Sequence, residues 1–218
     1  MNHIRRFSIA LAMTVLAAVI SSPGFAQDSA EERLDALLLD IESLAAEVLQ
    51  LIVESDGGVL EESDIQMYLK KPGRFYWETL DPFPELVVTD GNTLWNYQPD
   101  LEQVVIEDWN SSESELAAQL LSGQTEQLKQ DYRIALADAE DAEFVEFLLQ
   151  PIAADSVYSG IRISFLQGEL ESIHLSNKNG QQTVWQFSAV QRNLELEESL
   201  FQFDPPVGIE VVDNSSPP

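Results

Sequence analysis

Cysteine is missing from this 218-residue chain, and basic residues are scarce, with 11 Lys and Arg against 38 Asp and Glu. The lack of cysteine excludes disulfides, thiolate metal sites, a cysteine nucleophile and a lipid-bearing N-terminal cysteine. The formal charge of −27 argues against nucleic-acid partners, because each phosphate contact needs a Lys or Arg. The same negative charge disfavours binding to anionic membrane surfaces. The 44% of hydrophobic residues is enough for one β-rich domain or two small ones.

The sequence contains one long apolar run, Phe7–Ile20, directly after two arginines. Small residues follow it up to Ala26, which is the pattern of a secretory signal peptide. A membrane anchor is the alternative, but the run is shorter than the ~20 residues that a bilayer requires. We therefore predict a cleaved signal over residues 1–26 and one exported, soluble, acidic domain over 27–218.

Helical periodicity appears in two places. Glu31–Ser43 carries an apolar stripe with acidic residues on the other side, formed by Leu34, Leu37, Leu38 and Ile41. Ser112 and Glu115 have the spacing of a capping box. A short apolar face follows them, formed by Leu116, Ala117, Leu120 and Leu121, and Thr125–Gln130 could continue this helix. Both helices are expected to lay one apolar face on another element.

Elsewhere, short strand patterns alternate with turn signals such as Asp90-Gly91-Asn92 and Asn179-Gly180. Strands are predicted near 45–54, 59–70, 74–80, 85–90, 94–98, 102–108, 132–137, 143–149, 160–166, 169–176, 182–192 and 200–203. Short connections favour antiparallel pairing. So many strands with so few helices predict a mainly β fold, as a single curled sheet or an open barrel.

Catalytic patterns are few. After the predicted signal one histidine remains, His174, inside a strand pattern, where a lone histidine is far more often a surface or satisfied residue than a general base. The sequence has no zinc-binding spacing, nucleophile elbow, phosphate-binding loop or calcium-loop spacing. A glycosidase-like carboxylate pair stays open, but 38 acids make chance pairs unavoidable. We expect no enzyme activity, catalytic residue, metal site or cofactor.

Aromatic residues form four i,i+2 pairs within predicted strands: Phe75 and Trp77, Trp95 and Tyr97, Trp185 and Phe187, Phe201 and Phe203. Strand side chains alternate in direction, so each pair shares one face of the sheet. If all pairs point the same way, eight rings line one face. That face is either an ordinary core beneath the helices or the wall of a cavity for an apolar guest.

Several segments resemble the periplasmic outer-membrane lipoprotein carrier family, LolA. The resemblance lies in Tyr68–Trp77, with its Pro-x-x-Phe-x-Trp block, and in Val88–Tyr97, with Asp-Gly-x-x-Leu-Trp-x-Tyr. It continues in Pro99–Gln103 and returns at Phe187–Val190 and Phe201–Gly208. Residues 111–159 depart most from the family pattern.

The resemblance implies an incomplete, half-open antiparallel β-barrel with an α-helical lid over an apolar cavity. It implies a periplasmic chaperone that accepts acylated lipoproteins from an inner-membrane lipoprotein-releasing ABC transporter. The chaperone then delivers them to an outer-membrane receptor. The eight rings would line the acyl-binding cavity, and the leucines and isoleucine of the two helical stripes would form the lid. Without cysteine the chain resembles the soluble carrier, and a monomer is expected.

One departure concerns the residue before the proline of the Phe-x-Trp block, where the family has an arginine that holds the lid closed. Here it is Lys71, which offers a compact ammonium in place of a planar fork of donors. A lid latch at Lys71 and an ordinary surface charge both remain open. The alternative function is a lipid- or partner-sensing half-barrel module of the cell envelope without transport. The acidic charge could serve partner docking or adaptation to salt.

Overall fold

The computed structural model describes residues 29–109, 125–137 and 143–216 of the chain. The helices of these residues are α1 (Ala30–Leu39), η1 (Pro99–Leu101), α2 (Thr125–Asp131) and η2 (Glu198–Phe201), where η marks a 3-10 helix. The strands are β1 (Ser43–Val53), β2 (Val59–Lys70), β3 (Arg74–Asp81), β4 (Glu85–Thr89), β5 (Thr93–Gln98), β6 (Gln103–Asp108), β7 (Tyr132–Leu136), β8 (Phe144–Pro151), β9 (Tyr158–Leu166), β10 (Glu169–Asn177), β11 (Gln182–Arg192) and β12 (Glu210–Asp213). No helix of the described ranges is long and apolar enough to cross a membrane.

All twelve strands belong to one sheet, in the order β12-β6-β5-β4-β3-β2-β1-β11-β10-β9-β8-β7. Neighbouring strands pair antiparallel, except that β12 lies parallel to β6. The edge strands β12 and β7 do not pair with each other, so the sheet is open and not closed into a barrel. The predicted mainly β class with few helices is therefore confirmed.

Eleven of the predicted strands are present with small shifts of their ends, and the prediction at residues 200–203 is wrong. The first two residues of that segment are the last two of η2, in which the Leu200 N–H donates to the carbonyl of Glu197 at 3.1 Å. Of the alternating Phe201-x-Phe203 pattern, Phe201 is buried, and the segment pairs with no strand of the described residues. The twelfth strand is instead the short β12.

Helix α1 begins with a capping box. The Glu32 N–H donates to Ser29 Oγ at 3.2 Å, and the Ser29 N–H donates to Glu32 Oε2 at 2.9 Å. These two bonds satisfy N–H groups that the first turn of a helix leaves free. The helix ends at Leu39, earlier than the predicted Ser43, because Ser43 already pairs with Lys70 as the first residue of β1.

Two turns of the family-like blocks pack directly against each other. Gly73 (φ +71°) ends the β2–β3 turn, and Gly91 (φ +101°) lies in the β4–β5 turn. A Cβ added to Gly73 would lie 3.3 Å from the Gly91 Cα, so glycine is required both by the left-handed backbone and by the lack of space. The Trp109 indole nitrogen lies 3.8 Å from the same point.

The register of the strands defines the two faces of the sheet. Phe75 pairs with Thr89, which pairs with Leu94, and directly paired residues of antiparallel strands point to the same side. Phe75 and Leu94 share one core cluster with Leu34 and Leu38 of α1. We call this side the inner face and the opposite side the outer face.

Candidate functional site

Two of the predicted aromatic pairs meet on the inner face. Phe75 and Trp77 lie nearly stacked on β3, with ring centroids 5.8 Å apart. Trp77 meets Trp185 of β11 edge to face at 5.7 Å, although β2 and β1 lie between their strands in the sheet. Phe187 belongs to the same buried cluster. These four rings, each at most 8% exposed, form an aromatic centre on the inner face.

The indole N–H of Trp185 has a hydrogen-bond acceptor within this centre. Its Nε1–H donates to Gln50 Oε1 at 2.7 Å, and Gln50 is the direct partner of Trp185 in the β1–β11 register. A buried indole N–H without an acceptor would be costly. This bond therefore fixes the orientation of Trp185 against Trp77.

The other four predicted rings lie elsewhere. Trp95 pairs with Val88, which pairs with Tyr76, so Trp95 and Tyr97 point to the outer face while Leu94 and Asn96 point inward. Phe203 contacts Tyr97 with centroids 5.3 Å apart. Phe201 is fully buried but is not part of the inner core cluster. The expected set of eight rings is thus divided between two faces, because i,i+2 spacing places two rings together without deciding on which side.

The outer rings belong to a contact between η2 and the sheet. Glu198 of η2 receives Lys70 Nζ at 2.6 Å and Arg74 Nε at 2.9 Å. Lys70 Nζ also donates to the carbonyl of Leu196 at 2.9 Å. These cations therefore hold the segment after β11 against the outer face, and Arg74 is separated from Lys71 as the alternation of a strand requires.

Trp109 is a buried inner residue that the aromatic pattern did not identify. It directly follows β6 and is 7% exposed within the core cluster. Its N–H donates to the carbonyl of Asn92 at 2.9 Å. Trp109 has no aromatic residue two positions away in the sequence, so a search for i,i+2 aromatic pairs does not identify it.

Helix α1 packs on the inner face as its stripe predicted. Leu34, Leu38 and Ile41 are fully buried in the core cluster, and Leu37 packs against the cluster from its margin. The helix therefore covers part of the surface to which Phe75 and Trp77 belong. The second predicted stripe, formed by Leu116, Leu120 and Leu121, lies outside the described residues.

Lys71 contacts the end of α1 directly. Its Nζ donates to the carbonyl of Leu38 at 2.6 Å, and its N–H donates to the carbonyl of Glu42 at 2.9 Å. A cation at this end of a helix is favourable because the last carbonyls are unpaired and carry partial negative charge. Burial lowers the pKa of Lys71 below its usual 10.5, while the carboxylates of Glu42 and Asp40 oppose part of that shift.

A second set of bonds holds the junction between α1 and β1. Asn193 Nδ2 donates to the carbonyl of Asp40 at 2.9 Å, and its Oδ1 accepts from the N–H of Glu42 at 2.8 Å. Arg192 Nη1 lies 3.3 Å from both Asp40 Oδ2 and the carbonyl of Gly168. The junction is therefore bonded to the end of β11, whereas the helix itself rests on apolar contacts, the Lys71 bond and an ion pair between Asp35 and Lys129 of α2.

A groove of about 600 Å³ runs beside α1. The helix contributes Arg33, Leu37 and other residues, and the facing wall includes Val145 and Phe165 of β8 and β9. Leu37 and Val145 also pack at the margin of the core cluster, so the groove borders the apolar core beside the helix.

The opposite end of the inner face is polar. A pocket of about 300 Å³ is lined there by inward-pointing residues of five strands together with the exposed ring of Phe83: Gln50, Ser63, Thr79, Glu85 and Gln98. Gln98 Nε2 donates to Glu85 Oε1 at 2.9 Å, and Ser63 Oγ donates to Glu61 Oε1 at 3.1 Å. The inner face thus changes from apolar to polar beyond Trp77 and Trp185.

Among the described residues, no group of three or more His, Cys, Asp or Glu side chains is placed to hold a metal ion. His174 lies half-buried beside Arg162 on the outer side of β10. Burial, followed by the charge of Arg162, lowers the pKa of His174 below 6.5, and Glu146 opposes the shift.

Comparisons with known proteins agree with the motifs. The sequence profile of the family described as "Outer membrane lipoprotein carrier protein LolA" matches residues 40–204. An outer-membrane lipoprotein carrier protein of Hahella chejuensis is 33% identical over 202 residues, which is 93% of this chain and 97% of the relative. The corresponding protein of Chromohalobacter salexigens is 33% identical over 187 residues, covering 86% and 88%.

Similar solved structures include a LolA superfamily protein from Nitrosomonas europaea. It is 13% identical, covers 81% of this chain and 99% of its own, and superposes with a TM-score of 0.45. This score is too low to support a conclusion on function.

Proposed function

This chain belongs to the LolA family of outer membrane lipoprotein carrier proteins, and we propose that it shuttles acylated lipoproteins across the periplasm by reversible burial of their acyl chains. The observation that carries the proposal is the position of α1, which buries Leu34 and Leu38 on the same face as Trp77 and Trp185. Displacing this one helix would uncover a contiguous apolar surface. Its relatives are named as carriers, and the role asks for no bond chemistry.

Release of an acyl chain requires a lid that also binds the apolar site when the site is empty. Each buried CH₂ contributes about 0.8 kcal/mol, so one chain of ~16 carbons contributes on the order of 10 kcal/mol. If none of this free energy were regained when the acyl chain leaves, the carrier could not release its cargo. The apolar stripe of α1 offsets part of the gain, because Leu34 and Leu38 recover their own contacts when the acyl chain leaves.

In this proposal α1 is the lid and Lys71 its latch. The Lys71–Leu38 bond is made in the closed form and breaks when α1 lifts. The Asn193 bonds hold residues Asp40 and Glu42 to β11, so the end of the lid that joins β1 stays in place. Phe75, Trp77, Trp185 and Phe187 line the acyl site, with Trp109 added to the predicted set.

The proposed partners are an inner-membrane lipoprotein-releasing ABC transporter and an outer-membrane lipoprotein receptor. Their docking surfaces should be basic, because no Lys or Arg occurs between Arg74 and Lys129, a stretch that includes β4, β5 and β6. Complementary charge speeds encounter more than it strengthens binding. Association rates that do not depend on ionic strength would contradict this docking role and leave adaptation to salt as the explanation.

The periplasmic location rests on residues 1–26, which we propose as a cleaved secretory signal before a carrier domain over 27–218. Mass spectrometry of the exported protein tests it, since cleavage after Ala26 leaves Gln27 as the first residue.

Release of lipoproteins from spheroplasts tests the function itself. Purified protein added to spheroplasts that are synthesising an outer-membrane lipoprotein should bring that lipoprotein into the supernatant as a 1:1 complex. Serum albumin at equal concentration controls for unspecific extraction of acylated protein. A supernatant no richer in lipoprotein than the albumin control would overturn the carrier role.

A further inference from the structure

The boundary between the apolar and polar parts of the inner face contains an unusual polar side chain. Asn96 of β5 pairs with Val87, which pairs with Trp77, so all three point inward in one row. On its other side Asn96 pairs with Val105 of β6. The carboxamide therefore lies among apolar neighbours at the level of the aromatic centre.

The oxygen of this carboxamide has no partner. Asn96 Oδ1 is buried and accepts no hydrogen bond from the described residues. Buried acceptors are normally paired, because an unpaired one loses its hydration without compensation. An orphaned acceptor on a binding face indicates a donor that arrives with the ligand.

Neighbouring acceptors on the same face are already occupied. Gln50 Oε1 receives the Trp185 indole, and Glu85 Oε1 receives Gln98 Nε2. Gln98 lies two residues beyond Asn96 on the same strand, a distance of about 7 Å. Asn96 Oδ1 is thus an unpaired acceptor that lies between the aromatic centre and the polar pocket.

We propose that the polar end of the inner face binds the linkage between acyl chain and polypeptide, and that Asn96 Oδ1 accepts a hydrogen bond from the N–H of an acyl amide. This inference rests on the proposed carrier function. Acyl chains are joined to proteins through amides, esters or thioesters, and of these only the amide carries an N–H. The site accordingly selects N-acylated ligands over those joined through an ester alone.

A pair of ligands that differ in one atom tests the proposal. N-palmitoyl-glycyl-serine amide and its ester analogue, in which the acylated N–H is replaced by oxygen, are compared as competitors of a bound fluorescent fatty acid. The wild-type protein should prefer the amide about tenfold, the factor that one hydrogen bond to a buried acceptor represents. Asn96→Leu should bind both competitors with the affinity of the ester.

Thermal unfolding of the empty protein supplies a second readout. Asn96→Leu replaces an unpaired buried oxygen by a methyl group of similar size, so its melting temperature should not fall and is expected to rise. A purely structural asparagine would give the opposite result. Asn214→Leu, at an exposed position just after β12, is the matched control and should change neither melting nor ligand preference.

Two results would overturn this inference alone: equal affinity of the wild type for the two competitors, or a preference for the amide that persists in Asn96→Leu. A fluorescent fatty acid that does not bind the wild type at all would instead overturn the proposed carrier function.

Discussion

Lys71 Nζ and the carbonyl oxygen of Leu38 lie 2.6 Å apart, so a side chain from the turn between β2 and β3 caps the last turn of α1. The contact joins the family-like Pro-Gly turn to the helix that packs on the inner face. Lysine can form it because its flexible stem can direct one of the three N–H donors of the ammonium at this single carbonyl. The planar fork of arginine would be better suited to several acceptors at once.

Removing the Lys71 latch should make α1 lift from the inner face more often. In Lys71→Met the aliphatic stem remains and the cation is lost, so about 1–2 kcal/mol of the closed form is forfeited. Amide hydrogen exchange at Leu34 and Leu38 should accelerate about 5- to 30-fold. Cargo should also be retained, because a weaker closed form drives release less strongly. Lys71→Arg keeps a donor and is the control; unchanged exchange and delivery in Lys71→Met would show that Lys71 is an ordinary surface charge.

Titration of Lys71 should make stability depend on pH in the alkaline range. Burial lowers the native pKa of Lys71 below 10.5, the value expected when the chain unfolds. Between the two values the unfolded chain binds more protons at this site, so the contribution of Lys71 to the free energy of unfolding rises with pH. Denaturant unfolding at a series of pH values up to 10.5 should show the wild type gaining stability relative to Lys71→Met as the pH approaches 10.5. Curves that stay parallel would contradict the lowered pKa.

A charge in the aromatic centre should block cargo binding. Trp77→Glu places a carboxylate where acyl chains are proposed to lie, and its desolvation opposes their burial. Lipoprotein release from spheroplasts should fall to the albumin background, while circular dichroism still reports the sheet. Trp77→Leu separates loss of ring area from the effect of charge. Leu148→Glu, on the outer side of β8 and 38% exposed, is the control and should release lipoprotein normally.

The packed glycine turns should be sensitive to a single methyl group. Gly73→Ala must adopt a left-handed backbone and also meets Gly91 Cα at 3.3 Å. Gly57→Ala has a positive φ as well, but open space around the added Cβ. Both variants carry backbone strain of about 1–2 kcal/mol. Gly73→Ala should lose more stability than Gly57→Ala, because its added Cβ meets a backbone atom of Gly91. Chemical denaturation measures both, and equal losses would show that the two turns can move apart.

Local patterns were sufficient for much of this fold. The alternation of strand residues and the Gly-containing turns identified β1 to β11, and the stripe of Leu34 and Leu38 identified the buried side of α1. These features depend on side-chain direction and turn geometry within a few residues, which the sequence contains in full. The acidic charge and the lack of cysteine likewise limited the possible chemistry, because both follow from composition alone.

Tertiary packing decided what local patterns leave open. The two-residue alternation of a strand shows that Trp95 and Tyr97 share one side of the sheet. It does not show that this side faces away from Trp77. That choice depends on which face α1 covers and which face the segment around η2 covers. The parallel pairing of β12 and the Lys71–Leu38 bond are contacts between distant parts of the chain. No short window of sequence contains both partners of such a contact, and only the folded sheet brings them together.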